Sequence, residues 1–156
     1  MNKEIQNTLA TLKNVLSDEP WYGKSVYAIL EEAGTGDVYK QPEAISHSMI
    51  ELLYHINTWA EYVLSIIKNE EPEKIKAIEA LDWRTISPKE HTWENGFAQL
   101  KAANEKIIEI LNTKDDSFLE QNLQDKNFDF RFLLNGLIHH HIYHAGQIAY
   151  VKKLLN

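Results

Sequence analysis

The sequence contains no cysteine. That absence excludes disulfide scaffolds, thiolate zinc fingers, iron-sulfur clusters and a protein-borne thiol nucleophile, so any sulfur chemistry must bring its thiol with a substrate. Glycine (6) and proline (4) are scarce in 156 residues and fall mainly between patterned segments. No glycine-rich phosphate loop is present: Gly34 and Gly36 lack the further glycine and the strand of a dinucleotide fingerprint, and nucleotide cofactors are not indicated. Nor is there a G-x-S-x-G elbow or a sheet to carry a serine triad. Positive charge is in deficit. Sixteen Lys and Arg against 23 Asp and Glu leave a formal net charge of −7, which repels phosphate backbones and argues against a nucleic-acid partner. Apolar runs are broken by charge within a few residues, and the start, Met1 to Leu16, alternates polar and apolar residues in place of a signal-peptide core. The expectation is a cytoplasmic protein without membrane association, forming one domain over residues 1–156. A chain of this length buries roughly 68 to 70% of its unfolded surface, enough for a core.

What the sequence does contain is helical periodicity. Ile5, Leu9, Leu12 and Leu16 make one face of a first helix that Pro20 and Gly23 end. A short piece, Ser25 to Glu32, follows. A second long helix is predicted from near Pro42, with Ile45, Met49, Leu52, Ile56, Trp59, Val63 and Ile66 as its seam. From Asn69 to Ser87 the pattern weakens into a long connection with a helical turn around Ile75 to Leu81; such connections are often lids or pocket walls. Ser87-Pro88-Lys89-Glu90 reads as a capping box that starts a third helix, whose seam is Trp93, Phe97, Leu100, Ile107 and Leu111 with Asn104 inserted. After a polar stretch from Asn112 to Asn127, Asp129 caps a last helix running nearly to the C-terminus. The predicted fold is all-α, a four-helix bundle with a short extra helix after the first and a long connection between the second and third.

The histidines carry the chemistry. Of seven, four (His139, His140, His141 and His144) lie inside the otherwise apolar last helix, and a fifth, His55, lies on the second. Phe130, Leu133, Leu137, Ile148, Val151 and Leu155 define a core-facing stripe, and His140 and His144 fall where Leu or Ile would be expected. Residues at i and i+4 share a helical face, so two imidazoles can converge on one ion. His55, roughly 70° from the centre of its own seam, can complete a three-histidine site from across the bundle. Three neutral imidazoles with an open position suit Zn²⁺, Ni²⁺ or Fe²⁺ and serve Mg²⁺ and Ca²⁺ poorly. The plainer alternative is that these are core histidines bonded to a carbonyl or carboxylate. Spacing also leaves the pairing open, because His141, about 40° from the stripe centre, can pair with His144 at i, i+3. His139 points away, and like His47 and His91 reads as a solvent, interface or supporting residue. Glu51, one turn before His55, can orient the imidazole, and Trp59, one turn after, can form pocket wall; a solvated carboxylate and plain core packing are the favoured readings of the two.

With those residues in view, the chain resembles the DinB superfamily of metal-binding four-helix bundles, which includes bacillithiol transferases and mycothiol-dependent isomerases. The likeness is carried by the segment from His47 to His55 with Trp59 after it, and by Gly136 to Ile148, in which Tyr143-His144-Ala145-Gly146-Gln147-Ile148 is the more specific part. The resemblance implies a divalent transition metal on His55, His140 and His144, in favour of the i, i+4 pair. It implies a metal-dependent enzyme, a thiol S-transferase or small-molecule hydrolase that activates a bound thiol or water. Its partner is then a small-molecule substrate, with a low-molecular-weight thiol as candidate cosubstrate. The alternative is a non-enzymatic metal-binding or interaction protein of the stress-response type. The sequence names no catalytic base, and the family name implies no DNA binding.

Opposite the histidine stripe the last helix carries Phe132, Gly136, His139, Tyr143, Gly146 and Tyr150, an outer face with little charge. Either another part of the chain covers it, such as the Ser25 to Glu32 piece or the long connection, or a second copy does. The resemblance, whose members often form dimers, favours a homodimer.

Overall fold

In the computed structural model, residues 2–43, 46–123 and 126–156 are described. Among them lie seven helices: α1 Lys3–Ser17, α2 Val26–Ala33, α3 Met49–Ile67, α4 Pro72–Glu79, α5 Trp93–Leu111, α6 Asp116–Leu119 and α7 Phe130–Leu155. The only β pairing among the described residues is an isolated bridge between Asn122 and Asp129. The four long helices, α1, α3, α5 and α7, are the all-α bundle that the periodicity predicts.

Helix α3 is its axis. Fifteen of its nineteen residues are buried, because α5, α7 and α4 all pack against it, so the predicted seam is one side of a helix enclosed on several. Close approach of α5 is set at Gly96, where an added Cβ would stand 2.9 Å from atoms of both Leu53 and Tyr54. At the other end of the bundle, α1 and α7 start side by side. Arg131 pairs with Glu4 and Asp129, and the Asp116 carboxylate accepts the Ile5 N–H at 2.8 Å, satisfying a donor that α1 would otherwise leave open. Asp129 caps α7 as expected, accepting the Phe132 N–H at 2.8 Å.

Three boundaries differ from the sequence reading. Helix α3 begins at Met49 and not near Pro42, because Ser48 and Glu51 form a reciprocal capping box: the Ser48 hydroxyl accepts the Glu51 N–H and the Glu51 carboxylate accepts the Ser48 N–H at 2.7 Å. Ile45 of the predicted seam lies outside the described residues. The Ser87 to Glu90 signal makes a single closed turn instead of starting α5. His91 N–H donates to the Ser87 carbonyl at 2.7 Å while the His91 Nδ1 accepts the Ser87 N–H at 2.9 Å, which closes the turn on itself. Thr92 then caps α5, and the buried Trp93 donates its indole N–H to the Leu30 carbonyl at 3.1 Å. Finally, the polar stretch after α5 contains α6, whose Phe118 and Leu119 are buried under the bundle.

The buried side of α7 is wider than the predicted stripe and centred differently. It includes Leu134, Ile138, His141 and Ala145 beside Leu133, Leu137, His144, Ile148 and Val151. His141 is fully enclosed and His140 stands at the rim, since α3 and α2 flank α7 on two sides. Its outer face is bare: Phe132, Tyr143 and Tyr150 are 64, 65 and 64% exposed, and Gly136 and Gly146 face open space. Neither α2 nor the long connection covers it. No described helix is long and apolar enough to cross a membrane.

Candidate metal centre

His55 projects from α3 toward α7, where His140 and His144 stand one turn apart. The His55 Nε2 lies 3.0 Å from the His144 Nε2 and 3.0 Å from the His140 Nε2, and all three residues offer a nitrogen within 4.8 Å of the others. The structure thus brings these three together and leaves His141 out. His141 turns into the core, where its Nε2 lies 3.0 Å from the Asn104 Oδ1.

Following the ring protons shows what the cluster needs. The His55 Nδ1 lies 2.5 Å from Asp82 Oδ1, and an ionised carboxylate only accepts, so the ring hydrogen sits on Nδ1 and Nε2 presents a lone pair. His144 is held likewise, its Nδ1 donating to the Gln147 Oε1 at 2.5 Å. Two lone pairs therefore face each other at 3.0 Å, which is repulsive unless a cation stands between them. The His140 Nδ1 is buried without a partner. A neutral His140 can carry its hydrogen there and turn a third lone pair inward, so three nitrogens and no carboxylate make the inner donor set. That set fits Zn²⁺, Ni²⁺ or Fe²⁺. Outward-facing N–H groups held by carboxylate or carbonyl are also what fixes the tautomer of metal-binding imidazoles.

Electrostatics keeps the nitrogens available. Burial, reinforced by its histidine neighbours, pushes the His140 pKa down to about 3. Burial also lowers His55 and His144, against the opposing pull of Asp82 on the first and of Gln147 on the second. All three rings are neutral near pH 7.

Around the triad stands an aromatic wall. The Trp83 indole is stacked on His55 with ring centroids 3.9 Å apart, and His47 is stacked on Trp83 at the same distance. Two rings parallel to one indole at that spacing cannot share a face, so His47 and His55 sandwich it. Trp83 has φ +48°, a left-handed backbone that a bulky residue rarely adopts; its N–H donates to Asp82 Oδ1 at 3.0 Å, so one carboxylate holds both the strained turn and His55. Trp59 approaches His140 edge-on at 6.2 Å and Tyr62 at 5.1 Å, the position of a pocket wall.

Glu51 does not orient His55. Its Oε2 is taken by the Ser48 N–H, the Ser48 hydroxyl and the Gln41 amide, because the capping box claims it first. Asp82 does that work from the long connection, 27 residues away in sequence, and no helical spacing could have revealed it. Gln147 was within reach of spacing, at i+3 from His144. His47 lies behind Trp83, His91 closes the turn before α5, and His139 is exposed. A cavity of about 940 Å³ lies away from the histidines, between the end of α3, α4 and the start of α7, among Tyr62, Ile75, Phe118 and Phe130. Among the described residues, the group that could hold a metal ion is the triad and lies outside this cavity.

The chain matches the family model of the DinB superfamily over residues 24–148, a span that contains all three histidines, and it belongs to that superfamily. No curated protein and no solved structure matches it significantly.

Proposed function

We propose that this member of the DinB superfamily is a metal-dependent enzyme that activates the thiol of a small-molecule cosubstrate for transfer to an electrophile. The observation that carries the reading is the convergence of three imidazole Nε2 atoms, two of them with their ring hydrogens held outward. A divalent transition metal bound there supplies Lewis acidity, so that a coordinated thiol or water ionises near neutral pH. His55, His140 and His144 are neutral ligands and cancel none of the ion's charge. Asp82 fixes the tautomer and direction of His55, and Gln147 does the same for His144. Trp83 and Trp59 exclude water from two sides.

Thiol is favoured over water as nucleophile by the groups at hand. Among the described residues the carboxylate at the triad is Asp82, and it is committed to His55 and to the Trp83 N–H, which leaves no free base beside the site. Ionisation must then come from coordination alone. A thiol of pKa about 8.5 is already close to ionising near neutral pH and needs only a small shift, whereas water at about 15.7 would depend on the full shift that a metal on three neutral imidazoles can supply. The chain has no cysteine to compete for the ion or the electrophile. The test is turnover of a chromogenic electrophile with added low-molecular-weight thiol. Activity lost on chelation and restored by Zn²⁺, Ni²⁺ or Fe²⁺ supports the reading. Stoichiometric metal with no turnover of any electrophile or ester assigns the site to a non-enzymatic binding protein, and ester hydrolysis without thiol assigns it to a hydrolase.

The bare face of α7 belongs to the same proposal as a self-association surface. From Phe132 to Val151 the helix carries no Asp, Glu, Lys or Arg, so two copies of a chain of net charge −7 can meet there with little repulsion. Sedimentation at micromolar concentration is expected to show a dimer that Tyr143→Glu weakens; a monomer throughout rejects it.

A further inference from the structure

The chain has two arginines, and they are served in opposite ways. Arg131 pairs with Glu4 and Asp129 and lies 3.9 Å from Glu120, so its charge is fully answered. Arg84 has no carboxylate within ion-pair distance among the described residues. Its Nε–H donates to the Leu81 carbonyl at 3.0 Å, its Nη2 donates to the Thr58 hydroxyl, and its guanidinium lies 5.4 Å from the centre of the Tyr54 ring. A carbonyl, a hydroxyl and a ring face hold the group in place, and all three are neutral. Of five N–H donors, two are used and three have no acceptor on the described residues. Asp82, two residues before it, acts on the guanidinium from beyond ion-pair distance, so Arg84 is positioned by neutral groups with donors left for a ligand.

The surroundings supply room for one. Arg84 lines a cavity of about 440 Å³ together with Tyr39, Gln41, Trp83 and Thr85, within the size range of small-molecule sites. That cavity adjoins the triad: Trp83 is wall to both, and Thr58, on which Arg84 rests, follows His55 by one turn of α3. Glu51 also lines it, but its Oε2 is occupied by the Ser48 N–H, the Ser48 hydroxyl and Gln41. We propose that Arg84 is the docking point for a carboxylate group of the small molecule that reacts at the histidine triad. Planar guanidinium N–H groups match the two oxygens of a carboxylate, and among the described residues no protein carboxylate lies within ion-pair distance of the free donors of Arg84. Burial lowers the Arg84 pKa against the opposing pull of Tyr54 and Asp82, and an arginine stays protonated. The role of the ligand as substrate rests on the proposed function above; the anion site itself does not.

With only two arginines, their Nε–H resonances report the test directly, and Arg131 is the internal control. Succinate is the probe and succinamide its uncharged counterpart, added to full-length protein with and without bound Zn²⁺. The expected result is a saturable shift of the Arg84 Nε–H signal with half-saturation in the millimolar range or below, no saturable shift at Arg131, and none from succinamide. In Arg84→Gln the succinate response of the Trp83 indole N–H should vanish, and in Arg84→Lys, which keeps the charge but loses the fork, affinity should fall several-fold. An Arg84 signal that does not move, or that drifts without saturation as Arg131 does, overturns the inference. Zn²⁺ uptake by Arg84→Gln is measured in parallel. In the unsubstituted protein, normal Zn²⁺ uptake without succinate binding defeats the anion site alone, and succinate binding without metal uptake defeats the triad reading alone.

Discussion

Consecutive residues of α7, His140 and His141, are buried by opposite logic. His141 is fully enclosed and faces the amide oxygen of Asn104, whose own N–H₂ donates to the Leu100 carbonyl at 3.0 Å. That amide orientation puts the His141 hydrogen on Nε2, so this contact is a neutral donor and acceptor that needs no ion, while the His141 Nδ1 is buried without a partner. His140 faces another imidazole nitrogen, in a group of three that could hold a metal ion. The comparison teaches that burial alone does not mark a functional histidine; the identity of the atom opposite the ring nitrogen does. Each of the following experiments presses on that distinction.

The largest effect should come from deleting a ligand. His55→Ala, His140→Ala and His144→Ala should each lose metal affinity beyond the roughly 10- to 100-fold that outer partners carry, read by competition with a chromophoric chelator. His91→Ala, whose ring only closes the turn at Ser87, should bind metal normally. Equal retention in all four would erase the distinction between the triad and any other histidine.

Next in size is pH. His140 and His141 both have pKa values of about 3 in the fold, against about 6.5 for an unfolded chain. Between those limits the unfolded state binds more protons, so stability is fully present above pH 6.5 and is lost as pH falls toward 3. The loss for metal-free protein is about 1.4 kcal/mol per pH unit for each ring inside that window. Urea unfolding at several pH values should show the slope, and His141→Gln, which has no titrating ring there, should make it shallower. Metal release on acidification should persist in that variant, because it reports on the other cluster.

His141→Ala should lower stability by about 2 to 5 kcal/mol, through a cavity and an Asn104 oxygen left without its donor, while metal stoichiometry stays unchanged. Loss of metal from a folded His141→Ala protein would mean the two clusters act as one.

How far the sequence revealed this arrangement follows from the range of each signal. Helical spacing reaches four residues, and within that reach α1, α5 and α7 follow their apolar seams, α2 forms the short extra helix and α4 lies at the expected helical turn. It placed His140 and His144 on one face, but took the stripe to be centred there, since one helix cannot report that α2 and α3 both enclose it and draw His141 inward. Ser48 and Glu51 have capping-box spacing in the sequence as Pro42 has helix-start character, and local signals of this kind carry no ranking. Asp82, Trp83 and Arg84 lay beyond any periodic signal. They come from an aperiodic connection whose path over α3 is decided by tertiary contacts, and only its length hinted at a pocket wall.

The smallest effects separate the two outer partners of the triad. Asp82 and Gln147 make the same contact, an oxygen 2.5 Å from an imidazole Nδ1, but Asp82 brings a negative charge and also holds the Trp83 turn. A carboxylate raises the basicity of the imidazole it holds, whereas an amide mainly orients it. Asp82→Asn should therefore weaken metal binding by about 10- to 100-fold. It should also loosen Trp83, seen as a change in indole fluorescence, because the neutral amide is a weaker acceptor for the Trp83 N–H. Gln147→Leu removes orientation without removing charge, and a ring packed between α3 and α7 keeps much of its direction, so a loss of only about a few-fold, below that range, is expected. Chelator competition on both variants orders them. If Gln147→Leu proves as damaging as Asp82→Asn, the charge on Asp82 contributes nothing to the site and orientation is the whole of what either residue supplies.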